Sequence, residues 1–248
     1  METTPVFSSH YSLSRSILTL EKAGKSNPTG PNSIIDLAIQ YKLPRVVLVE
    51  DNMAGYMEAY SNFKEAKIPL IFGLRLKFCA DVADKSEESL NTEHNLILLI
   101  KNFSGYERLL KISSRAATDN FYYVPRMDFK TMKPFWSDKD LQLVVPFYSS
   151  FLAQNALTFN SCVPDFSYAK PVFFEEDNNL PIDSIISRRV KDYAGGNFET
   201  LKTKSVYYHK RDDFLSLAVL RCIAKRTKLS KPNLEGFSSN EFCLEALL

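Results

Sequence analysis

The side chains in this sequence best suited to bind a metal ion or move a proton are its three histidines, His10, His94 and His209. Imidazole is a common metal ligand, and a catalytic zinc site normally has three protein ligands. His10 and His209 fall close to the ends of predicted strands, so a barrel could bring them together. A histidine at a strand end is, however, more often a hydrogen-bonded structural residue. His94 lies in an acidic stretch, residues 81–94, and we expect its ring to be solvated.

A second candidate site is the carboxylate pair Glu50 and Asp51, which follows an apolar run at residues 45–49. Ligand sites of parallel α/β folds lie beyond the carboxyl ends of strands, and paired carboxylates there suit Mg²⁺ or Mn²⁺. The alternative, which we favour, is that Asp51 or Asn52 caps a helix predicted to begin at Met53.

The elements that must position these residues follow from the hydrophobic pattern. Strands are predicted near Val6 and at residues 45–49, 70–72, 96–100, 141–145, 171–174 and 205–207. Helices are predicted at residues 53–67, from a capping box at 104–107, and at 151–155, 182–192 and 211–226. This alternation predicts an α/β fold with a mostly parallel sheet or barrel, and a single domain over residues 1–248 with residues 81–94 as an acidic loop.

Composition excludes several classes of protein. The chain has 248 residues, 45% of them hydrophobic, so it is not disordered as a whole, and a net charge of +2 excludes a strongly basic coat. No apolar run is long enough to span a bilayer, and the first residues lack a signal peptide's apolar core. The four cysteines form no CxxC pair. We therefore expect a cytoplasmic protein with reduced thiols and no membrane partner.

Charge is nevertheless uneven along the chain. Residues 188–231 carry 12 Lys and Arg against 4 Asp and Glu. A basic segment favours an anionic partner, either nucleic acid or an acidic protein face, and a solvated helix surface is the equally weighted alternative. The expected anionic-partner surface comprises a stripe at i, i+4 and i+7 along the predicted helix 211–226, formed by Arg221, Lys225 and Lys228. It also includes Lys210 and Arg211, which follow the predicted strand 205–207.

Several motifs resemble one family. The run LLIKNFSGYERLLKISS at residues 98–114 is similar to the LLAKNxxGYxNLLKLSS stretch of the PHP (polymerase and histidinol phosphatase) domain that opens the alpha subunit of bacterial C-family replicative DNA polymerases. FYYVPRMD at residues 121–128 resembles that family's FYYKPRID, and IPLIFG at 68–73 resembles its IKPIIG. Residues 229–233 and 240–244 resemble LxDPNR and DEFYLK, so the tail at 228–248 is similar to the start of the polymerase linker.

The resemblance implies a distorted seven-stranded β/α barrel. Active members hold up to three metal ions on His, Asp and Glu from strand ends and hydrolyse phosphoesters, in some polymerases as a 3′–5′ exonuclease. The family's H-x-H motif falls on Val6 and Ser8, and His10 replaces Ser8 only by a two-residue slip in register. The family's LTDHGNxxG becomes LVEDNMAG, with Val49 in place of Asp and Glu50 in place of His.

Two further motifs depart in the same way. The GxE of the third strand has Arg75 in place of its carboxylate, and NDVHY becomes KSVYY, with Ser205 and Tyr207 replacing Asp and His. The resemblance therefore implies a degenerate pocket without catalytic residues, metal or other cofactor. Its positions are Ser8, His10, Val49, Glu50, Asp51, Arg75, Ser205 and Tyr207.

We expect a non-catalytic, PHP-like scaffold or interaction domain of DNA replication, with a polymerase body or a proofreading exonuclease as partner and DNA as a further ligand of the basic face. One alternative is a metal-dependent phosphoesterase or 3′–5′ exonuclease whose reshuffled site holds Mn, Mg or Zn on His10, Glu50, Asp51 and His209. A second alternative is a free-standing regulator that mimics the polymerase module and competes for its partners.

Overall fold

Strands and helices alternate along the chain in a computed structural model that describes residues 3–27, 29–159, 162–229 and 239–247. The strands are β1 (Thr4–Phe7), β2 (Val46–Glu50), β3 (Leu70–Phe78), β4 (His94–Ile100), β5 (Arg126–Met127), β6 (Leu141–Val145), β7 (Pro171–Glu175) and β8 (Glu199–Val206). The α-helices are α1 (Ile34–Gln40), α2 (Tyr56–Glu65), α3 (Glu87–Asn91), α4 (Phe103–Ala117), α5 (Phe129–Met132), α6 (Phe151–Thr158), α7 (Asp183–Ala194) and α8 (Phe214–Lys225).

Hydrogen bonds join the strands in the order β2-β1-β8-β7-β6-β4-β3-β5, and β2 also pairs with β3. Seven strands therefore close a ring, with β5 beside β3, which confirms the predicted distorted seven-stranded β/α barrel. The sheet is mostly parallel, as expected, and the exception is β4, which runs antiparallel to both β3 and β6. The short α3 between β3 and β4 does not supply the crossover helix that a parallel pair needs, so the chain turns back on itself.

The chain divides into two compact units. The first comprises residues 1–72, 177–180 and 203–248, and the second comprises residues 73–176 and 181–202. Two of the four boundaries fall within β3 and within β8, and the other two flank residues 177–180, between β7 and α7. The expectation of a single domain over residues 1–248 stays a prediction.

In the first unit, β1 pairs in parallel with β2 and with the end of β8. All five residues of β2 are buried, as its continuous apolar run predicts. Helix α1 begins after Ser33, whose hydroxyl accepts the amide hydrogen of Ile35 and caps the helix. Near the end of the chain, Cys243 forms a parallel bridge with Tyr208, so this segment lies along the continuation of β8.

In the second unit, the long helix α4 begins one residue earlier than the predicted capping box. Its cap is Asn102, whose side chain accepts the amide hydrogen of Gly105 at 2.9 Å, because this amide side chain precedes the first turn. Asp140 also accepts a hydrogen bond from Asn102 at 3.0 Å and one from Arg108 at 2.8 Å. These contacts join the start of α4 to the residue before β6.

The acidic stretch 81–94 is not a plain solvated loop. It contains α3, and both Glu93 and His94 are buried. The expectation that His94 is solvated is therefore wrong, because His94 is the first residue of β4 and packs among Phe78 and Phe151. The guanidinium of Arg126, also fully buried, donates to the carbonyl oxygens of Val82 and Asp84 in this stretch.

No helix in the described part of the chain is long and apolar enough to cross a membrane. Within the predicted tail, residues 230–238 and 248 lie outside the described residues, and so does most of the motif at 229–233.

Candidate functional site

The carboxyl ends of β1 and β2 lie side by side because the two strands are parallel neighbours, with Phe7 opposite Leu48. The polar residues that follow each strand therefore meet in the first unit. Ser8, directly after β1, is buried and donates from its hydroxyl to the carbonyl oxygen of Val49 at 2.7 Å. Val49, at the position where the resemblance implies an aspartate, is fully buried.

Glu50 ends β2 with its carboxylate fully buried. One carboxylate oxygen accepts the amide hydrogen of Ser9, at 2.9 Å between nitrogen and oxygen. The other accepts the hydroxyl of Ser12 in a short hydrogen bond. Burial raises the pKa of Glu50, and the hydrogen bonds from Ser12 and Ser9 oppose that rise without cancelling it.

Asp51 completes this cluster at its exposed edge. Its carboxylate lies 2.9 Å from Arg15 Nε, and its amide donates to Ser12 Oγ at 2.8 Å. Burial alone would lower the pKa of Arg15, but the charge of Asp51 raises it above its usual value. We call Ser9, Ser12, Arg15, Glu50 and Asp51 the Glu50 network.

The prediction that Asp51 or Asn52 caps the next helix is wrong. Helix α2 begins at Tyr56 after Gly55, which makes no side-chain cap hydrogen bond. Asn52 instead donates its side-chain amide to the carbonyl oxygen of Tyr11 at 2.8 Å. The segment after β2 is therefore held by the loop after β1 and turns before the helix starts.

The end of β8 lies on the other side of β1. Ser205 is buried opposite Val6, and Tyr207 follows the strand with its ring stacked on Phe242. The carbonyl oxygen of Tyr207 accepts the Ser16 hydroxyl at 2.8 Å. The Tyr207 side chain thus packs against Phe242, at a position where the resemblance implies a histidine.

The two histidines of the alternative metal site have different surroundings. His10 is exposed, and its ring lies 4.4 Å from that of Tyr11. His209 is buried, and its Nε2 lies 2.8 Å from the hydroxyl of Tyr41 at the end of α1. Burial lowers the pKa of His209. The His10 ring therefore contacts Tyr11, and the His209 ring is hydrogen-bonded to Tyr41.

The donor set at the end of β2 does not fit a divalent cation. A metal ion needs ionised carboxylates that can turn towards it, whereas burial raises the pKa of Glu50 and each of its oxygens is already held by a hydrogen bond. The guanidinium of Arg15 on Asp51 adds a positive charge that repels a cation. Among the described residues, no three His, Cys, Asp or Glu side chains are grouped so that they could hold a metal ion.

Arg75 belongs to the second unit, in β3 opposite Ile97 of β4. Lys204, next to Ser205, donates to the carbonyl oxygen of Asp177 and lies 3.6 Å from a Glu241 oxygen. The positive charge of Lys204 is therefore balanced by Glu241, which belongs to the same unit.

The structure separates the residues of the expected anionic-partner surface. Arg221 does not continue an exposed stripe with Lys225, because its Nε donates to the carbonyl oxygen of Ser14 and its guanidinium lies 5.8 Å from the centre of the Tyr207 ring. Burial lowers the pKa of Arg221. Lys228 lies beyond the end of α8, so the predicted stripe is wrong in geometry.

The remaining two residues of that surface are exposed. Lys210 precedes α8, and Arg211 forms an ion pair with Glu241 at 3.1 Å. The basic segment at residues 188–231 also falls partly in each unit.

Sequence reasoning missed Ser9, Ser12 and Arg15. The usable signal is the polar run SSHYSLSRS at residues 8–16 directly after a strand, since serines placed there can satisfy a carboxylate at the end of a parallel neighbour.

Comparisons with known proteins place the chain in a family with this fold. Residues 28–151, half of the chain, match the family model of the PHP domain. DNA polymerase III subunit alpha of Chlamydia trachomatis is 36% identical over 94 residues, which cover 37% of this chain and 8% of that protein. The same subunit of Borreliella burgdorferi is 22% identical over 227 residues, covering 87% and 20%, and that of Campylobacter jejuni is 22% identical over 242 residues, covering 88% and 20%.

The chain thus spans between a twelfth and a fifth of the length of these relatives. With its closed seven-stranded ring and the family model matched over half its length, the chain belongs to the PHP domain family.

Proposed function

We propose that this chain is a PHP module without phosphoesterase activity that acts as a scaffold or interaction domain in DNA replication. The relation to DNA polymerase III alpha subunits supports the replication context. A polymerase body or a separate proofreading exonuclease is the proposed partner, and the cytoplasm is the proposed location.

The observation that carries the loss of activity is the Glu50 network. At a strand end where a metal-dependent member of the family would need open ligands, the carboxylates are already bound by Ser9, Ser12 and Arg15. Hydrolysis of a phosphodiester at neutral pH calls for a metal-bound hydroxide or an equivalent base. A buried glutamate held by Ser9 and Ser12 and an aspartate bound to a guanidinium are not placed to supply either.

The proposal is tested by metal analysis and an activity assay on the same preparation. The purified chain is equilibrated with Mn²⁺ or Zn²⁺, passed through a desalting column and analysed for metal per chain. Cleavage of a 3′-labelled single-stranded oligonucleotide is measured in parallel. We expect well under one metal ion per chain and no cleavage above that of Glu50→Ala.

Stoichiometric metal together with cleavage that is lost in His10→Ala would overturn the proposal in favour of the phosphoesterase.

The scaffold role is tested by co-purification with the separately expressed polymerase body and exonuclease of the same cell. If neither is retained, and the free chain instead displaces an alpha subunit from its partners, the regulator is the better description.

A weaker DNA interaction is proposed for the exposed lysines around α8. Binding of single-stranded DNA to Lys210, Lys225 and Lys228 would fall steeply with salt, because phosphate contacts release counterions. Arg221 is left out of the variant, since its guanidinium also holds the Ser14 carbonyl. Equal binding by the parent and by a triple Lys→Glu variant at low salt would remove DNA from the list of partners.

A further inference from the structure

Two arginines meet at the side chain of Tyr207, directly after β8. Arg221, from α8, has its guanidinium carbon 5.8 Å from the centre of the Tyr207 ring. Arg15, from the loop after β1, is hydrogen-bonded to the side chain of the same tyrosine. Burial lowers the pKa of Arg221, and the charge of Arg15 lowers it further, as expected for two guanidinia close enough to repel each other. All three residues belong to the first unit.

Each guanidinium is held through its Nε atom. The Nε of Arg15 lies 2.9 Å from the Asp51 carboxylate, and that of Arg221 donates to the carbonyl oxygen of Ser14 at 3.2 Å. Ser14 has a φ of 64°, in the left-handed region where a residue other than glycine is strained. The loop keeps this conformation where its carbonyl meets Arg221, so that guanidinium is fixed in place without a carboxylate.

The charges of this pair are only partly balanced. Arg15 pairs with Asp51, and among the residues that the structure describes Arg221 has no carboxylate partner. The Nη groups of Arg221 likewise have no hydrogen-bond acceptor in these ranges. Glu50, the other carboxylate of the Glu50 network, accepts its hydrogen bonds from the loop after β1. An anion that contacts both guanidinia would offset their mutual repulsion and accept from donors that the protein leaves open.

We propose that Arg15 and Arg221 together bind a phosphate group at the carboxyl end of β8, without a metal ion. A phosphate is favoured over a carboxylate because its several terminal oxygens can accept from two separate guanidinia at once, and the guanidinium fork matches their spacing. The proposal rests on the proposed function, because a bound cation and two guanidinia would repel each other at this strand end. Inorganic phosphate and a nucleotide both carry the group, and the experiment separates these two sources.

Binding can be read at the arginines themselves by NMR. The isotope-labelled full chain, in low-salt buffer with EDTA, is titrated with inorganic phosphate and separately with thymidine 5′-monophosphate. The Nε–H signals of Arg15 and Arg221 should shift together, with a dissociation constant on the order of 1 mM. Thymidine, which lacks the phosphate, should leave them unchanged. Equal affinities would identify the free ion as a sufficient ligand, and tighter binding of the nucleotide would identify a nucleotide.

Three variants separate the site from general effects of charge and stability. Arg221→Gln should weaken phosphate binding about tenfold. Arg226→Gln, the matched control, removes the same charge from the exposed end of α8 and should leave binding unchanged. Asp51→Asn keeps an acceptor for Arg15 but removes the competing negative charge. It should therefore tighten binding severalfold, which a loss of folding cannot do.

Two results would overturn this inference alone. One is a titration in which the signals of Arg15 and Arg221 do not move, and this test holds even if Arg221→Gln does not fold. The other is an equal dissociation constant for the parent and a folded Arg221→Gln. Binding that requires Mn²⁺ and disappears in EDTA would overturn the proposed function as well, because a metal ion would then hold the phosphate.

Discussion

The burial of His94 predicts a defined loss of stability in acid. Its Nδ1 lies 3.2 Å from Cys162 Sγ, and its ring packs edge-on against Phe151 at 5.8 Å between centroids. In the described part of the chain its Nε2 has no hydrogen-bond partner. Burial lowers the pKa of His94 from 6.5 to about 4. Burial raises the pKa of Cys162 to about 11, so that thiol stays neutral throughout the acid range.

The sign and the size follow from proton linkage. A lowered folded-state pKa means that the unfolded chain takes up a proton first, so stability is present above the unfolded pKa and falls as the pH drops from 6.5 towards 4. Each unit of pKa difference is worth about 1.4 kcal/mol, so His94 should account for a loss of about 3 kcal/mol. That is a large share of the about 5–15 kcal/mol by which domains are stable.

The assay is urea unfolding between about pH 7.5 and pH 4 for the parent chain and for His94→Gln, which cannot titrate. The substitution itself changes the unfolding free energy by an amount that does not depend on pH. Only the change in unfolding free energy with pH is therefore compared between the parent and the variant. We expect the parent to lose about 3 kcal/mol more than the variant over this range. His10→Gln, which removes an exposed histidine, is the matched control and should follow the parent. Parallel pH curves for the parent and His94→Gln would refute the reasoning.

Two further substitutions test contacts within single units. Ser12→Ala removes the hydroxyl that donates to Glu50 and accepts from the Asp51 amide, so it should cost about 1–3 kcal/mol of unfolding free energy in urea. Ser8→Thr, which keeps a hydroxyl, should cost less, and an unchanged midpoint for Ser12→Ala would show that water replaces the bond. Gly105→Ala should lower stability by about 1–3 kcal/mol, because a Cβ there would clash with the Asp140 carbonyl oxygen. The exposed neighbour, as Ser104→Ala, should leave the thermal midpoint unchanged.

Much of the strand pattern could be predicted because apolar runs of β-branched residues are visible in sequence. The run at residues 141–145 coincides with β6, and 171–174 falls one residue short of β7. Strand β3 was predicted too short, because Arg75 and Lys77 interrupt its apolar residues. The structure shows a strand whose partly covered face carries those two charges.

The candidate site was predictable only in part. The position of Glu50 at a strand end follows from the hydrophobic pattern, but its partners do not, because Ser9 and Ser12 lie about 40 residues away in sequence and no periodicity links them. The fully buried Arg126 is similar: its carbonyl partners lie over 40 residues upstream, in the stretch we expected to be solvated. Side-chain hydrogen bonds between distant segments are set by the tertiary fold, which local sequence patterns do not contain.

The Glu50 network also sets a stability cost on introducing the metal ligands that the family resemblance implies. Replacing Glu50 by the histidine of the family motif would leave the Ser9 amide and the Ser12 hydroxyl without the carboxylate that accepts them. Replacing Val49 by aspartate would bury a new charge with no cation to meet it. Each single step towards the metal-binding state lowers stability before any ligand is gained. A metal site at this strand end would therefore require several simultaneous substitutions.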